Sequence, residues 1–275
     1  MPALGALAGS WTAAAGLAAF LVLAVLETHR PWDVGTAAGS RWVTNLVLYG
    51  AVVGLLALVA PQHWAGVILE GWDSGPLAWV AGHCGAWAVL AAGLLLMDAL
   101  AYGLHRMQHL RLFWPLHAIH HADAQVDVTT GLRHHPGEAL VNGLVGAALL
   151  AVLGLPPWVA TVYGLAAIVW DVWSHANVAL PPRLERTLSA LVVTPGLHRI
   201  HHSQDPAHFG TNFGGVLTLW DRLFGTWRPQ SAEALRFGVP GAGTQGLAQS
   251  LAAPFRRYSA PQPGGSPQQP PSSMA

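Results

Sequence analysis

Histidine is the residue type whose number and spacing could do chemistry in this sequence. The 275-residue chain contains 15 histidines, and eight of them form three tight groups, which read H-x-x-x-H, H-x-x-H-H and H-x-x-H-H in chain order. Residues at positions i, i+3 and i+4 share one face of a helix, so each group would present its imidazoles to one point. The members are His105 and His109; His117, His120 and His121; and His198, His201 and His202.

The chemistry indicated by these groups is metal binding. Eight neutral imidazoles exceed the four ligands of a tetrahedral zinc ion and suit two metal ions. Imidazole binds zinc, copper, iron and nickel alike, so the ligand type leaves the metal open. The single cysteine, Cys84, excludes a thiolate cluster. Two alternatives are disfavoured: solvated interfacial histidines by the repeated pattern, and paired haem ligands because the inner apolar segments hold only His83.

The composition sets the environment of these histidines. Hydrophobic residues make up 52% of the chain and charged residues 9%, against roughly 25% charged residues in an ordinary soluble domain. With a mean hydropathy of +0.39, this composition excludes a disordered chain or a nucleic-acid partner, and it favours a membrane protein. The formal net charge is zero, so no overall field attracts charged partners.

Three apolar segments are predicted to span the membrane, namely Trp11–Leu26, Val43–Ala60 and Leu77–Leu104, since a span needs about 20 apolar residues. The first lacks the positive flank of a signal peptide, which favours an uncleaved helix. A fourth stretch, Ala139–Trp173, is interrupted by Pro156-Pro157 and is predicted to form a hairpin of two short helices. Each arm reaches only about 24 Å, so the hairpin is expected to enter the bilayer without crossing it fully.

The positive charges lie on the same side as the histidine groups. All 13 basic residues are arginines, and none lies inside a predicted span. With three spans and a re-entrant hairpin, every arginine falls on one side, which the positive-inside rule makes cytoplasmic. The N-terminus is then outside and the C-terminus inside. The predicted fold is an all-α integral membrane helical bundle with a cytoplasmic, histidine-rich di-metal cap.

Polar residues near the histidines are candidates for orienting them. Asp98 would lie within the membrane, where a carboxylate needs a partner, and we interpret it as a hydrogen-bond acceptor for a metal ligand; helix packing against an Arg or a Tyr is the alternative. Glu138 could orient His134 or His135, or it could cap the helix that starts there, and the capping role is favoured. Asn177 is a candidate hydrogen-bond partner near the site, with a turn role as the alternative.

With these residues in view, the chain resembles the fatty acid hydroxylase/sterol desaturase superfamily of integral membrane di-iron oxygenases. The resemblance covers about Asp98 to Trp227 and rests on the three motifs in order, with the surrounding text "DALAYGLHRMQH", "LFWPLHAIHHAD", "LRHHPGE", "WSHANV" and "TPGLHRIHHSQD". It implies a cytoplasm-facing di-iron centre held by the eight grouped histidines. It further implies His175 as a ninth ligand, and His135 as an additional ligand or a neighbour of one.

The apolar pattern, the resemblance and the composition together predict three regions along the chain. Residues 1–76 would form N-terminal transmembrane helices, residues 77–228 the fatty acid hydroxylase/sterol desaturase-like catalytic domain, and residues 229–275 a disordered tail rich in Pro, Gly and Gln. Such a tail cannot bury enough apolar surface to order itself. A short helix around Ala248–Tyr258 is the most structure expected there.

The function that the resemblance implies is O2-dependent hydroxylation or desaturation of a lipid, either a sterol, a fatty acyl chain or a related molecule. Zinc has no redox chemistry, so two iron ions are expected, with O2 as co-substrate. The chain shows no nicotinamide, flavin, haem or iron–sulfur motif, which predicts a separate electron donor such as a ferredoxin or a cytochrome b5-like protein. The short loops are similar to those of bacterial members, and the lysine-free composition is typical of a GC-rich genome, which together predict a bacterial inner membrane.

Two other functions stay open on the sequence alone. The histidines could serve a metal-ion transporter or sensor, although carriers place polar ligands near the bilayer midplane and these groups lie outside the predicted spans. A non-catalytic homologue with a structural metal is disfavoured by the complete set of eight histidines. The sequence does not distinguish hydroxylation from desaturation.

Overall fold

The described part of the chain is helical throughout. The computed structural model describes residues 2–33, 39–72, 76–229, 235–240, 242 and 245–255. Within these ranges the only β-pairings are two isolated bridges, Pro31 with Val178 and Val192 with Leu217. The predicted all-α fold is therefore confirmed.

Eleven α-helices and two short 3-10 helices follow one another in the described residues. They are α1 (Pro2–His29), α2 (Gly39–Trp72), α3 (Pro76–Cys84), α4 (Ala86–Gln108), α5 (Trp114–His121), a 3-10 turn at Thr130–Leu132, α6 (Pro136–Leu153), α7 (Pro157–His175), α8 (Pro182–Leu188), α9 (Pro195–His201), α10 (Leu219–Leu223), α11 (Leu247–Leu251) and a second 3-10 turn at Ala253–Phe255.

Three described helices are long and apolar enough to cross a membrane: Gly39–Val59 within α2, Ala86–Gln108 and Pro136–Leu153. This supports an integral membrane protein. Two of the three overlap the predicted spans Val43–Ala60 and Leu77–Leu104, and the third, Pro136–Leu153, was predicted as one arm of the hairpin. The apolar part described for α1, Ala14–His29, is shorter than these spans. The first arm of the predicted hairpin, α6, has 18 residues. It is long enough to cross a membrane, whereas the sequence analysis expected it to enter the bilayer without crossing it.

The predicted long span Leu77–Leu104 is broken into α3 and α4, so that prediction is wrong. The break is at Gly85, whose φ of 80° lies in the left-handed region, where residues other than glycine are strained. The hairpin, in contrast, is where the sequence placed it. Gly154 ends α6 with a φ of 62°, and Pro157 starts α7, where a proline is well tolerated.

The helices of the bundle pack in two sets. α7 packs against α1 and α4, whereas α6 packs against α2. The polar cap, formed by α5, α9 and the segments around them, covers the end of the bundle where α4 and α7 finish and α2 and α6 begin. Arg41 at the start of α2 joins this cap through ion pairs with Asp123 and Asp127.

Part of the predicted tail belongs to the folded cap. Arg133 is 1% exposed and donates to the Gln245 carbonyl and to Ser250 Oγ, both at 3.0 Å. Ala253 packs with Leu48 and the cap. A buried guanidinium needs several acceptors, and this segment supplies two of them, which is why residues 245–255 order against the body. Residues 256–275 lie outside the described residues.

Candidate metal centre

The secondary structure delivers the predicted histidines to one end of the bundle. His105 lies in the last turn of α4 and His109 caps that helix. α5 carries the second motif and α9 the third. Thr194 caps the N-terminus of α9 by accepting from Leu197 N. His175 is the last residue of α7.

The nine histidines predicted as ligands come together in two groups. In each group the ligand nitrogens all lie within 4.8 Å of one another. The first group, called here site A, consists of His105, His109, His117, His121 and His201. The second group, site B, consists of His120, His175, His198 and His202.

Site B has the spacing of a coordination shell. His175 Nε2 is 3.1 Å from the Nε2 atoms of His120 and His202 and 2.9 Å from that of His198. Ligand nitrogens about 2.0–2.1 Å from one metal ion are about 3.0–3.4 Å from one another. Four imidazole nitrogens at such distances would repel through their lone pairs, and a cation between them removes that repulsion. The geometry therefore fits a bound metal.

Site A has the hydrogen bonds that prepare imidazoles for a metal. The Nδ1–H groups of three of its histidines donate to the Phe213 carbonyl at 3.0 Å, to Glu138 Oε1 at 2.9 Å and to the Thr211 carbonyl at 2.8 Å. Each donation fixes the tautomer whose Nε2 carries the free lone pair. The Nε2 atoms of all five histidines are buried and have no hydrogen-bond partner among the described residues. The donors are His105, His117 and His201.

Burial keeps six of these imidazoles neutral. It lowers their pKa well below the usual value, and the neighbouring imidazoles lower it further. The neutral form is the one that binds a metal. The six histidines are His109, His120, His121, His198, His201 and His202.

Glu138 and His134 contact the two groups of histidines more closely than the sequence predicted. Glu138 Oε1 accepts from His117 of site A and also, at 3.3 Å, from His134 Nδ1. The His134 ring stacks on His120 of site B, with centroids 4.5 Å apart. Burial opposes protonation of His134, but Glu138 outweighs it and raises the pKa of His134 to about 9. The i, i+4 spacing of His134 and Glu138 was the available signal.

Comparison with known proteins agrees with this geometry. The family model described as fatty acid hydroxylase matches residues 90–226, which include all nine histidines of sites A and B. The chain belongs to the fatty acid hydroxylase/sterol desaturase superfamily. The predicted resemblance is thus confirmed. No solved structure matches the chain.

Several curated members of the superfamily are similar to the chain. Ornithine lipid hydroxylase OlsE from Rhizobium tropici is 33% identical over 60% of this chain and 50% of its own length. An alkylglycerol monooxygenase from Danio rerio is 29% identical over 60% of the chain and 33% of its own length. Sphinganine C4-monooxygenase 1 from Arabidopsis thaliana is 27% identical over 51% of the chain and 54% of its own length. The matches thus span between a third and about half of these relatives.

His135 and Asn177, which the sequence analysis also named as candidates near the site, form hydrogen bonds with the backbone. His135 caps α6, where its Nδ1 accepts from Gly137 N at 2.9 Å. Asn177 Oδ1 accepts from the backbone N–H groups of Trp32 and Asp33 at 3.1 and 3.0 Å, tying the end of α7 to the segment after α1. Neither residue belongs to site A or site B.

Asp98 fastens the cap to the bundle. Its carboxylate accepts from the Tyr163 hydroxyl at 3.0 Å and from Trp220 Nε1 at 2.9 Å. It also accepts from the backbone N–H groups of Val216 and Leu217 at 3.0 and 3.1 Å. The bonds of this membrane-embedded carboxylate thus lead to a tyrosine and to the loop before α10, which is closer to the packing alternative than to a direct bond with a ligand.

A cavity of about 220 Å³, called here the histidine cavity, lies against both sites. Its walls come from α4, α6 and α7, from the histidines of α5 and α9 and from the loop at residues 214–216, and α4 and α6 are candidate membrane spans. Small residues form part of the wall, and polar side chains form another part. The lining residues are Ala101, His105, Gln108, His117, His120, His134, Glu138, Asn142, Tyr163, Ala167, Asp171, Ser174, His175, His198, Gly214, Gly215 and Val216.

Proposed function

We propose that this protein is an O2-dependent oxidoreductase that hydroxylates or desaturates a membrane lipid at a di-iron centre. The observation that carries the proposal is the convergence of nine histidines, eight of them buried and His105 half-buried, in two groups beside a cavity lined in part by candidate membrane helices. The hydroxylase and monooxygenase names of the relatives support oxygen insertion into a lipid. Residues 77–228 would form the catalytic domain.

The residues fit the two metal ions that this proposal requires. Site A offers five nitrogens and site B four, and three of the five in site A have a fixed tautomer. When bound, an iron pair supplies the redox chemistry with O2 that an unactivated C–H bond requires, which zinc cannot supply. We assign the nine histidines as its ligands.

The remaining residues position the substrate and exclude water. Eight of the nine histidines are buried, which limits the access of water, and the cap of α5 and α9 covers the site on the side away from the bundle. A lipid lies in the bilayer already, so it can reach the cavity between α4, α6 and α7 without leaving the membrane. The protein thus binds and orients one carbon, while the metal ions carry the oxidation.

We further propose that the site faces the cytoplasm of a bacterial inner membrane. The described candidate spans hold Arg41 and Arg106 only near the ends that meet the cap, in agreement with the positive-inside rule. A cytoplasmic site can receive electrons from a separate donor, such as a ferredoxin or a cytochrome b5-like protein.

The test is to measure metal and product together. Purified protein should contain about two irons per chain, and lipids from cells that express it under 18O2 should contain an 18O-labelled product that is absent without the gene, or a new double bond. Protein that binds no iron, in cells whose lipids are unchanged, would refute the proposal. Metal flux into vesicles would instead favour a transporter, which the position of the sites at one end of the bundle disfavours.

A further inference from the structure

The wall of the histidine cavity formed by α6 carries a buried amide oxygen without a partner. Asn142 lies in α6, a candidate membrane span, and lines the cavity. Its side chain is half-buried, but its Oδ1 atom is buried, and none of the described residues donates a hydrogen bond to it. A buried polar atom without a hydrogen bond is costly, so this oxygen indicates a ligand group that donates to it.

A second unpaired oxygen lies one turn away on the same wall. Glu138 Oε2 is buried and without a partner, although Oε1 of the same carboxylate accepts from His117 of site A. Residues 138 and 142 are separated by four positions and therefore share a helix face, about 6 Å apart along the axis. The two unpaired oxygen atoms therefore lie on one face of α6, with Glu138 at the edge of site A and Asn142 one turn deeper in the span.

Another part of the cavity wall consists of small residues, namely Ala101 of α4 and Gly214 and Gly215 of the loop before α10. A Cβ atom added to Gly215 would lie 3.5 Å from the Cβ of Ala101, from Asp98 Oδ1 and from the Tyr163 hydroxyl. These small residues extend no long side chain into the cavity, so an alkyl chain can lie against them, whereas the wall formed by α6 has two unpaired oxygen atoms.

We propose that Asn142 binds a hydroxyl group of the lipid substrate and thereby holds a nearby carbon at the two sites. This deepens the proposed function and rests on it. A hydroxyl group both donates and accepts, so it pairs with either end of an amide. A substrate with a hydroxyl near the oxidised carbon would therefore donate a hydrogen bond to Asn142 Oδ1. An unsubstituted hydrocarbon segment would leave Asn142 unpaired.

The experiment measures binding by the iron-loaded, full-length protein in detergent micelles. Two probes of equal chain length, hexadecane-1,2-diol and hexadecane, compete against a fluorescent alkyl probe for the wild type and two variants. Asn142→Leu keeps the number of side-chain heavy atoms and removes the polar group. Asn142→Thr replaces the amide with a hydroxyl that still donates and accepts, and it is the matched control.

The wild type should prefer the diol. Asn142→Leu should weaken diol binding about fivefold to tenfold, as expected for one buried hydrogen bond, with hexadecane binding and iron content unchanged. Asn142→Thr should keep most of the preference. An unaltered preference in Asn142→Leu, or no preference in the wild type, would overturn this inference. Because binding needs no turnover, a retained preference in a protein that oxidises no lipid counts against the proposed function alone.

Discussion

Sites A and B lie side by side, but the chain holds their imidazoles in different ways. In site A, three of five histidines donate Nδ1–H to a carbonyl or a carboxylate. In site B, only His175 does so, with its Nδ1 2.7 Å from the Asp171 carbonyl, while the Nδ1 atoms of the other three are buried without a partner among the described residues. Site A is thus preorganised by hydrogen bonds, whereas site B depends on packing and on the metal itself.

This difference has a physical consequence for metal affinity. A ligand whose ring is fixed before binding loses little freedom when the metal arrives, and its partner raises its basicity. Site A also connects through Glu138 to His134, which stacks on His120 of site B. The two sites are therefore coupled through one carboxylate, and substitutions can test the difference between them.

The largest effect is expected from removing one ligand of either site. His201→Ala in site A and His120→Ala in site B should each lower turnover by at least about 100-fold and reduce iron from about two to about one per chain. Lipid product and iron content measured on the same preparations provide the check. Wild-type turnover in either variant would refute the ligand assignment.

The next effect is expected from Glu138, which touches site A directly and site B only through His134. Glu138→Leu should weaken the iron affinity of site A about 10-fold to 100-fold, because His117 Nδ1–H loses its acceptor. Titration of iron into the metal-free protein measures both sites. Glu138→Gln, which keeps an acceptor oxygen, is the matched control and should lose less iron affinity at site A. An equal loss of affinity at both sites would contradict the stronger hydrogen bonding of site A.

A smaller effect is expected in the wild type itself. On addition of a chelator, site B should release its iron about tenfold faster than site A, because it has fewer histidines fixed by hydrogen bonds. Two kinetic phases of equal amplitude, followed by the loss of the iron absorption, would show this. Release in one phase, or a faster phase that persists unchanged in His120→Ala, would mean that site B is as well held as site A.

The smallest effect on the metal is expected from Asp98, which contacts the cap rather than a ligand. Asp98→Asn should lower the free energy of unfolding by about 2 to 4 kcal/mol, since two backbone N–H groups and Trp220 Nε1 share its oxygens. The thermal midpoint of the metal-free protein is the measurement. Iron affinity should fall only slightly, and first at site A, because Phe213, which fixes His105, precedes this loop.

The sequence by itself determined the all-α fold, the superfamily and the set of nine histidines that meet. Helical spacing explains why each motif acts as a unit, since i, i+3 and i+4 share a face whatever the tertiary structure. The hairpin could also be predicted, because Pro156-Pro157 prevents a continuous helix through a purely local effect on the backbone.

Only the tertiary structure decided how the histidines divide. The motif at residues 117–121 is split, with His117 and His121 in site A and His120 in site B, and spacing along one helix cannot reveal which distant ring faces which side. The same holds for Glu138, whose capping position is local but whose bond to His117 crosses from α6 to α5. Contacts between distant segments depend on how the helices pack, and a pattern along one segment does not contain that information.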